Sequence, residues 1–318
     1  MVRLGRDPAG EKIEGRARAA ETMGAVVQTY LAQARMRIKP RSYVEVARHL
    51  TVYAKPLLGL PLLGINRRTI AARLATVAAS NGLVSANRMR TSLSAFFSWC
   101  MSQGLLESNP AFGTGRQPEK SRDRVLGSDE LEAIWNATAG DDDYPAIVRL
   151  LMLTGARANE IGSLAWSEVL EDRIMLPAAR AKNGRAHTIP LSRLARAILH
   201  ARPRRDDDFV FGARKGRPFS GWSTRKMALD QRIETTISPW VLHDFRRTMA
   251  TWLAETGTAP HIIEAVLNHA SGHKAGIAGV YNRAGYEPQK RAALERWGNH
   301  IETLVGGKRS AEIVRLGA

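Results

Sequence analysis

Two short segments each place an arginine near a second side chain that can carry charge or accept a proton. Arg157 and Glu160 lie three positions apart, and His243 and Arg246 have the same spacing. Two guanidiniums can hold a phosphate through paired hydrogen bonds, and a histidine can accept a proton near neutral pH. Taken alone, the first pair is usually a surface ion pair, and the second a solvated helix face with Arg247 pointing elsewhere.

Three residues farther along the chain could also act at a phosphate. Lys182 stands directly before an Asn-Gly turn, His269 closes a Leu-x-His sequence, and Tyr281 follows twelve positions later. A lysine can donate a proton, and a phenol with a pKa of about 10 can form a reversible ester. The ordinary interpretations are an exposed turn lysine and a core or surface tyrosine.

Apolar spacing and turn residues predict the elements that position these side chains. An apolar helix over residues 146–153 ends near Gly155, which puts Arg157 at the start of a new helix. Residues 173–177 and 185–190 are predicted to form two strands of a hairpin around the Asn-Gly turn. Helices that begin near residue 241 and at Pro260 carry the two histidines.

The rest of the chain is predicted to be mainly helical. Met23, Val26, Val27, Tyr30 and Leu31 recur at helical spacing, and further helices are expected at about 41–53, 66–81 and 84–103. The fold class is therefore mainly α with a small β-hairpin, in two domains. The predicted organisation is a basic arm (1–20), a helical domain (21–108), a linker (109–124), a second domain (125–305) and a tail (306–318).

Composition favours a nucleic acid partner. The 318 residues include 47 Lys+Arg against 30 Asp+Glu, for a net charge of +17. Binding to backbone phosphates explains such a charge better than a merely basic surface or an anionic membrane does. The single cysteine, Cys100, and the lack of a signal or membrane-spanning segment in the sequence predict a cytoplasmic protein without membrane contact.

The complete motif order resembles that of the tyrosine recombinases of phage integrase type. The order is Thr-Gly-x-Arg-x-x-Glu-Ile, a hairpin lysine, His-x-x-Arg, Leu-x-His and a late tyrosine. Residues 21–108 are similar to the core DNA-binding domain of that family, and residues 125–305 to its catalytic domain. Asn268 stands where many members have glycine, and the interval from His269 to Tyr281 is long. Both departures resemble integrases of phage-like and island elements.

The resemblance implies a role for each motif residue. Arg157 and Arg246 grip the scissile phosphate, Lys182 protonates the departing 5′ oxygen, His243 accepts the tyrosine proton, His269 contacts a non-bridging oxygen and Tyr281 is the nucleophile. Glu160 orients the helix of the first arginine. Tyr286 is the alternative nucleophile, Arg180 and Arg185 could also contact phosphate, and His187 receives no role. The arginines supply the positive charge, so no metal or cofactor is expected.

The implied function is site-specific DNA recombination through a 3′-phosphotyrosine, integrating or excising a mobile element. Double-stranded DNA, a homotetramer on that DNA and accessory DNA-bending proteins are the expected partners. A type IB topoisomerase would share the chemistry, but would relax one duplex as a monomer. A DNA-binding regulator would form no covalent adduct, and a metal-dependent nuclease would be inactive in EDTA.

Overall fold

Helices form most of the chain in the computed structural model, which describes residues 21–119, 122–181, 183–205, 208–212, 216–269 and 284–306. The chain divides into two compact units, residues 1–121 and 122–318. The second unit contains a two-stranded antiparallel sheet, so the expected fold class is confirmed. No helix in these ranges is both long and apolar enough to cross a bilayer.

The first unit is built on four α-helices in its described part. Their bounds are α1 Met23–Arg37, α2 Pro40–Arg48, α3 Arg67–Asn81 and α4 Leu83–Ser102. Two of them begin at side-chain caps: Thr22 Oγ1 accepts from the Ala25 N–H at 3.4 Å, and Asn66 Oδ1 from the Thr69 N–H at 3.1 Å. The five apolar positions predicted as one face of α1 are all buried.

Residues 109–119, within the predicted linker, are hydrogen-bonded to α4. The Asn87 side chain donates to the Gln117 carbonyl at 2.8 Å and accepts from the Gln117 N–H at 2.9 Å. Asn109 Nδ2 donates to the Ser94 carbonyl at 2.9 Å. Because a side-chain amide offers both a donor and an acceptor, it can substitute for a backbone partner along this irregular segment.

Cys100 lies in the core of the first unit. Its side chain is fully buried, and burial raises the pKa of the thiol to about 12. A thiol with that pKa remains protonated at neutral pH and is a poor nucleophile. Cys100 is therefore a small hydrophobic core residue.

The second unit holds the remaining elements. They are α5 Ser128–Ala137, α6 Asp143–Thr154, α7 Ala158–Gly162, β1 Arg173–Leu176, β2 His187–Pro190, α8 Arg193–His200, α9 Trp222–Gln231, α10 Leu242–Glu255, α11 Pro260–Val266 and α12 Glu287–Gly306. Helix α6 is central: apart from Arg149, every residue from Tyr144 to Thr154 is buried. Trp297 of α12 is buried and donates from Nε1 to the Met152 carbonyl at 2.7 Å. This contact fixes α12 to α6.

The hairpin has a longer connection than a two-residue turn. Ile174 pairs with Ile189 and Leu176 with His187, so residues 177–186 form the loop. Both isoleucines are buried, which anchors the two strands in the core. The predicted Asn-Gly turn lies inside this loop, where the Gly184 N–H donates to the Ala181 carbonyl at 3.1 Å.

Candidate active site

Arg157 lies in the tight connection between α6 and α7. Gly155 ends α6 in the left-handed conformation, with a φ of 60°, and its N–H donates to the Leu151 carbonyl at 3.0 Å. A Cβ added to Gly155 would stand 2.2 Å from Met249 Cε. The left-handed conformation favours glycine there, and any larger residue would also displace the end of the buried Met249 side chain.

Glu160 holds Arg157 through two hydrogen bonds. Its Oε2 accepts from the Arg157 N–H at 2.9 Å, and its Oε1 accepts from Arg157 Nη1 at 2.7 Å. Glu160 is buried, whereas the Arg157 side chain remains 20% exposed. The Glu160 carboxylate thus orients the Arg157 guanidinium, which remains exposed enough to bind an anion.

Arg246 of α10 contacts the same connection. Its Nη1 donates to the Gly155 carbonyl at 2.7 Å, and its Nη2 donates to the Leu267 carbonyl. Burial, reinforced by the Arg157 charge, lowers the pKa of Arg246 to about 10. Arg246 therefore stays protonated at neutral pH, in a position fixed by two carbonyl groups.

The C-terminal end of α11 receives both arginines. Asn268 has a φ of 47°, and the His269 N–H donates to the Glu264 carbonyl at 3.0 Å while the Asn268 N–H donates to the Ala265 carbonyl at 3.2 Å. These two bonds form a Schellman motif with asparagine at its left-handed position. Arg157 Nη2 donates to the Asn268 carbonyl at 3.4 Å. The partial negative charge of the helix end stabilises the paired guanidiniums.

His243 and His269 share this positively charged environment. Burial lowers the pKa of each ring, and the Arg246 charge lowers it further. Arg157 acts on both rings in the same direction. Both histidines are therefore neutral at neutral pH, the state in which an imidazole can accept a proton or a hydrogen bond.

Asp244 is a buried carboxylate that the sequence interpretation left without a role. It is 0% exposed, and its Oδ2 accepts from the Val241 N–H at 2.9 Å. Its oxygens also accept from Arg247 Nη1 at 2.6 Å and from Arg122 Nε at 3.2 Å. Asp244 caps α10 one residue after His243 and so fixes the turn that carries His243 and Arg246.

The structure places four of the six predicted site residues within this cluster: Arg157, His243, Arg246 and His269. Lys182 and Tyr281 lie outside the described residues. Arg180, a possible phosphate contact, is bound internally, because Nη1 pairs with Glu168 and Nη2 donates to the Glu160 carbonyl at 2.9 Å. It joins the hairpin loop to α7.

Tyr286, the alternative nucleophile, packs its ring against His261 with the centroids 5.1 Å apart. Tyr286 and His269 both line a cavity of about 170 Å³. Tyr286 therefore stays the alternative nucleophile to be tested.

His187, to which the sequence assigns no role, is a buried residue of β2 that is subject to the charges of Arg246 and Arg157. It is 6% exposed and lies on β2, which packs against α12. Burial, with the charges of Lys290, Arg246 and Arg157, lowers the pKa of His187 to about 3. His187 is thus a buried, neutral ring at neutral pH.

We expect this buried ring to make the second unit acid-sensitive. Between the folded pKa of about 3 and the unfolded value near 6.5, only the unfolded chain takes up the proton at His187. The free energy of unfolding therefore falls as the pH falls, by roughly 2–3 kcal/mol from this residue between pH 6.5 and 4.5. Urea unfolding at pH 7 and 4.5 should show a smaller loss in His187→Gln than in the wild-type protein. An equal loss in both would contradict this account.

Comparison with known proteins supports the assignment suggested by the motif order. The model of the Phage integrase family matches residues 124–285, just over half of the chain. The chain belongs to the phage integrase family. It is 31% identical over 233 residues to the prophage integrase IntZ of Escherichia coli K12, covering 70% of this chain and 56% of that protein. The E. coli prophage integrase IntA is 26% identical over 264 residues, covering 79% and 63%.

Structural comparison supports the fold of this phage integrase family member. A lambda integrase tetramer bound to a Holliday junction matches with a TM-score of 0.67 at 18% identity, covering 85% of this chain and 83% of that one. The chain spans about 56–63% of the length of the two E. coli relatives. The resemblance to integrase-type recombinases inferred from the motifs is confirmed at the level of family and fold.

Proposed function

We propose that this protein is a site-specific DNA recombinase that cleaves and rejoins DNA through a 3′-phosphotyrosine intermediate. The observation that carries the proposal is the convergence of Arg157 and Arg246 on the carboxyl end of α11, beside His243 and His269. Such an arrangement suits a phosphodiester, whose charge grows in the transition state.

In the proposed reaction the Tyr281 hydroxyl attacks the scissile phosphorus. The new O–P bond forms as the bond from phosphorus to the 5′ oxygen breaks. His243 takes the phenolic proton, and Lys182 donates a proton to the departing 5′ oxygen. Arg157, Arg246 and His269 hold the non-bridging oxygens. Attack by a 5′ hydroxyl on the phosphotyrosine reverses these steps, so the strand is rejoined without an energy source, metal or cofactor.

Double-stranded DNA and a homotetramer are the proposed partners. The net charge of +17 supports binding to a polyanion. The lambda integrase structure named above is a tetramer on a Holliday junction. By analogy, we propose that four copies of this chain exchange strands between two sites and that accessory proteins bend the DNA. The same analogy favours integration or excision of a mobile element and action in the cytoplasm.

A covalent-trapping assay separates the proposed function from its rivals. Nicked suicide duplexes from the DNA flanking the gene are incubated with the protein in EDTA and run on denaturing gels. A protein–DNA adduct supports the proposal and excludes a metal-dependent nuclease. Specific binding without an adduct would favour a DNA-binding regulator. An adduct together with relaxation of a single supercoiled plasmid by the monomer would favour a type IB topoisomerase.

The histidine environment predicts the pH dependence of adduct formation. The pKa of His243 is lowered from 6.5, the usual value for histidine, so its ring gains a proton only at a lower pH than an ordinary histidine does. Because the second-order rate constant reports groups of the free protein, its acid limb should lie below pH 6.5. The rate constant, measured at limiting protein from pH 5 to 8, checks this. An acid limb above pH 6.5 would contradict a neutral His243 as the base.

A further inference from the structure

A pair of asparagines joins the hairpin loop to the residue before His269. Asn183 Nδ2 donates to the Asn268 carbonyl at 2.9 Å and to Asn268 Oδ1 at 3.0 Å. In return, Asn268 Nδ2 lies 3.4 Å from Asn183 Oδ1 and 3.3 Å from the Arg185 carbonyl, both acceptors. The two residues are 85 positions apart in the chain.

The surrounding backbone fixes the orientation of both amides. The Arg185 N–H can only donate, and it donates to Asn183 Oδ1 at 3.1 Å. The Asn268 carbonyl can only accept, so the Asn183 nitrogen must face it. The Arg185 carbonyl likewise selects the Asn268 nitrogen. Reversing either amide would put like groups together, so this pairing is the self-consistent one.

The backbone of Asn268 explains why its side chain reaches the loop. At a φ of 47°, Asn268 occupies the left-handed position of the Schellman motif that ends α11. Glycine would satisfy this conformation without strain, and asparagine tolerates it better than most residues do. A glycine at position 268 would therefore be enough for the backbone conformation, whereas the hydrogen bonds between the two side chains require the amide of asparagine.

The Asn268 carbonyl connects this pair to the phosphate-binding arginines. It accepts from Asn183 Nδ2 at 2.9 Å and from Arg157 Nη2 at 3.4 Å. The hairpin loop and Arg157 therefore both donate hydrogen bonds to the same oxygen atom, that of the Asn268 carbonyl. The sequence neighbour of Asn183 is Lys182, the proposed donor of the leaving-group proton.

We propose that Asn183 and Asn268 are positioning residues that act as one unit on protonation of the departing 5′ oxygen. By tying residues 183–185, which follow the proposed proton donor Lys182 in the sequence, to the Asn268 carbonyl, the pair holds this part of the hairpin loop at a fixed distance from Arg157. The proposal rests on the proposed function above.

The test uses two DNA substrates and three variants. Asn268→Gly removes the side-chain amide of Asn268 and keeps a residue suited to the left-handed backbone. Asn183→Ala removes the side-chain amide that the hairpin loop contributes to the pair. The double variant combines both substitutions. One suicide substrate has the natural 5′ oxygen at the scissile bond. The other has sulfur there, and its thiolate, with a pKa of about 8.5, leaves without a proton donor. Asn136→Ala, at an exposed position on α5, is the matched control.

On the oxygen substrate we expect each single variant to form adduct about tenfold more slowly than wild type, with the double variant no slower than the worse single one. On the sulfur substrate all three should match wild type. Asn136→Ala should match wild type on both substrates, and Arg157→Gln should be slow on both. Thermal unfolding and binding to the uncleaved duplex verify folding. If Asn268→Gly does not fold, Asn183→Ala carries the test.

Three outcomes would overturn the proposal. If the variants form adduct on the oxygen substrate as fast as the wild-type protein does, the asparagine pair is not needed for protonation of the leaving group. Variants equally slow on both substrates would place the defect at the arginines or histidines instead of the leaving group. Independent, additive effects would show that the residues do not act as one unit. If the wild-type protein forms no adduct on either substrate, the proposed function itself fails, which is distinguishable from the first three results.

Discussion

Replacing Arg246 with glutamine is expected to lower the rate of covalent adduct formation by about 10²- to 10³-fold. The guanidinium is fixed by the Gly155 and Leu267 carbonyls and lies beside His243 and His269. Glutamine is uncharged and offers one amide group in place of the planar fork. Single-turnover trapping at saturating protein measures the rate of the chemical step.

Arg247→Gln is the matched control for this experiment. Arg247 is the next residue on α10 and donates to Asp244, which keeps Arg122 and the Val241 N–H as partners when Arg247 is replaced. We expect its adduct formation to stay within about tenfold of wild type. Comparable losses in both variants would show that any charge change on α10 impairs the reaction, and would contradict a specific role for Arg246.

Replacing Asp244 with asparagine is expected to reduce the free energy of unfolding of the second unit by about 3 kcal/mol. The carboxylate is fully buried and is shared by Arg122 and Arg247. Neutralising it leaves two arginines facing an amide. The expected loss is at the low end for a broken buried pair because both arginine side chains are partly exposed, at 39% and 31%.

Thermal unfolding should register this as a fall in Tm of about 6–12 °C for a unit of this size. Asp230→Asn is the matched control, because Asp230 is 44% exposed and pairs with Lys226 one turn away on the same helix. Its replacement should change stability by less than about 0.5 kcal/mol. Equal effects of the two substitutions would contradict a structural role for the buried carboxylate.

Local sequence signals predicted the elements well. Asn66 caps α3 and Thr22 caps α1, and the cap hydrogen bonds need only residues three positions away. The apolar spacing of α1 and the strands around residues 174 and 189 were also predictable, because burial on one face leaves a direct pattern in the sequence. The length of the hairpin loop was not predictable from local sequence, because it depends on the register of strand pairing.

The site was predictable only where one motif holds both partners. Arg157 and Glu160 lie within four residues, so their contact follows from helix geometry. Asn183 and Asn268 meet across 85 positions, and Arg122 reaches Asp244 across 122. No local pattern encodes such contacts. His187 gained its role in the same way, because its burial and the charges that act on it, including that of Lys290 in α12, come from residues distant in the sequence.

The most direct measurement is mass spectrometry of the trapped protein–DNA adduct after nuclease and trypsin digestion. Cleavage after Lys274, Arg283 and Lys290 puts Tyr281 on the peptide 275–283 and Tyr286 on the peptide 284–290. The account predicts a nucleotide phosphate on Tyr281, with the adduct lost in Tyr281→Phe and retained in Tyr286→Phe. A nucleotide on the second peptide, or on a residue other than tyrosine, would contradict the proposed chemistry.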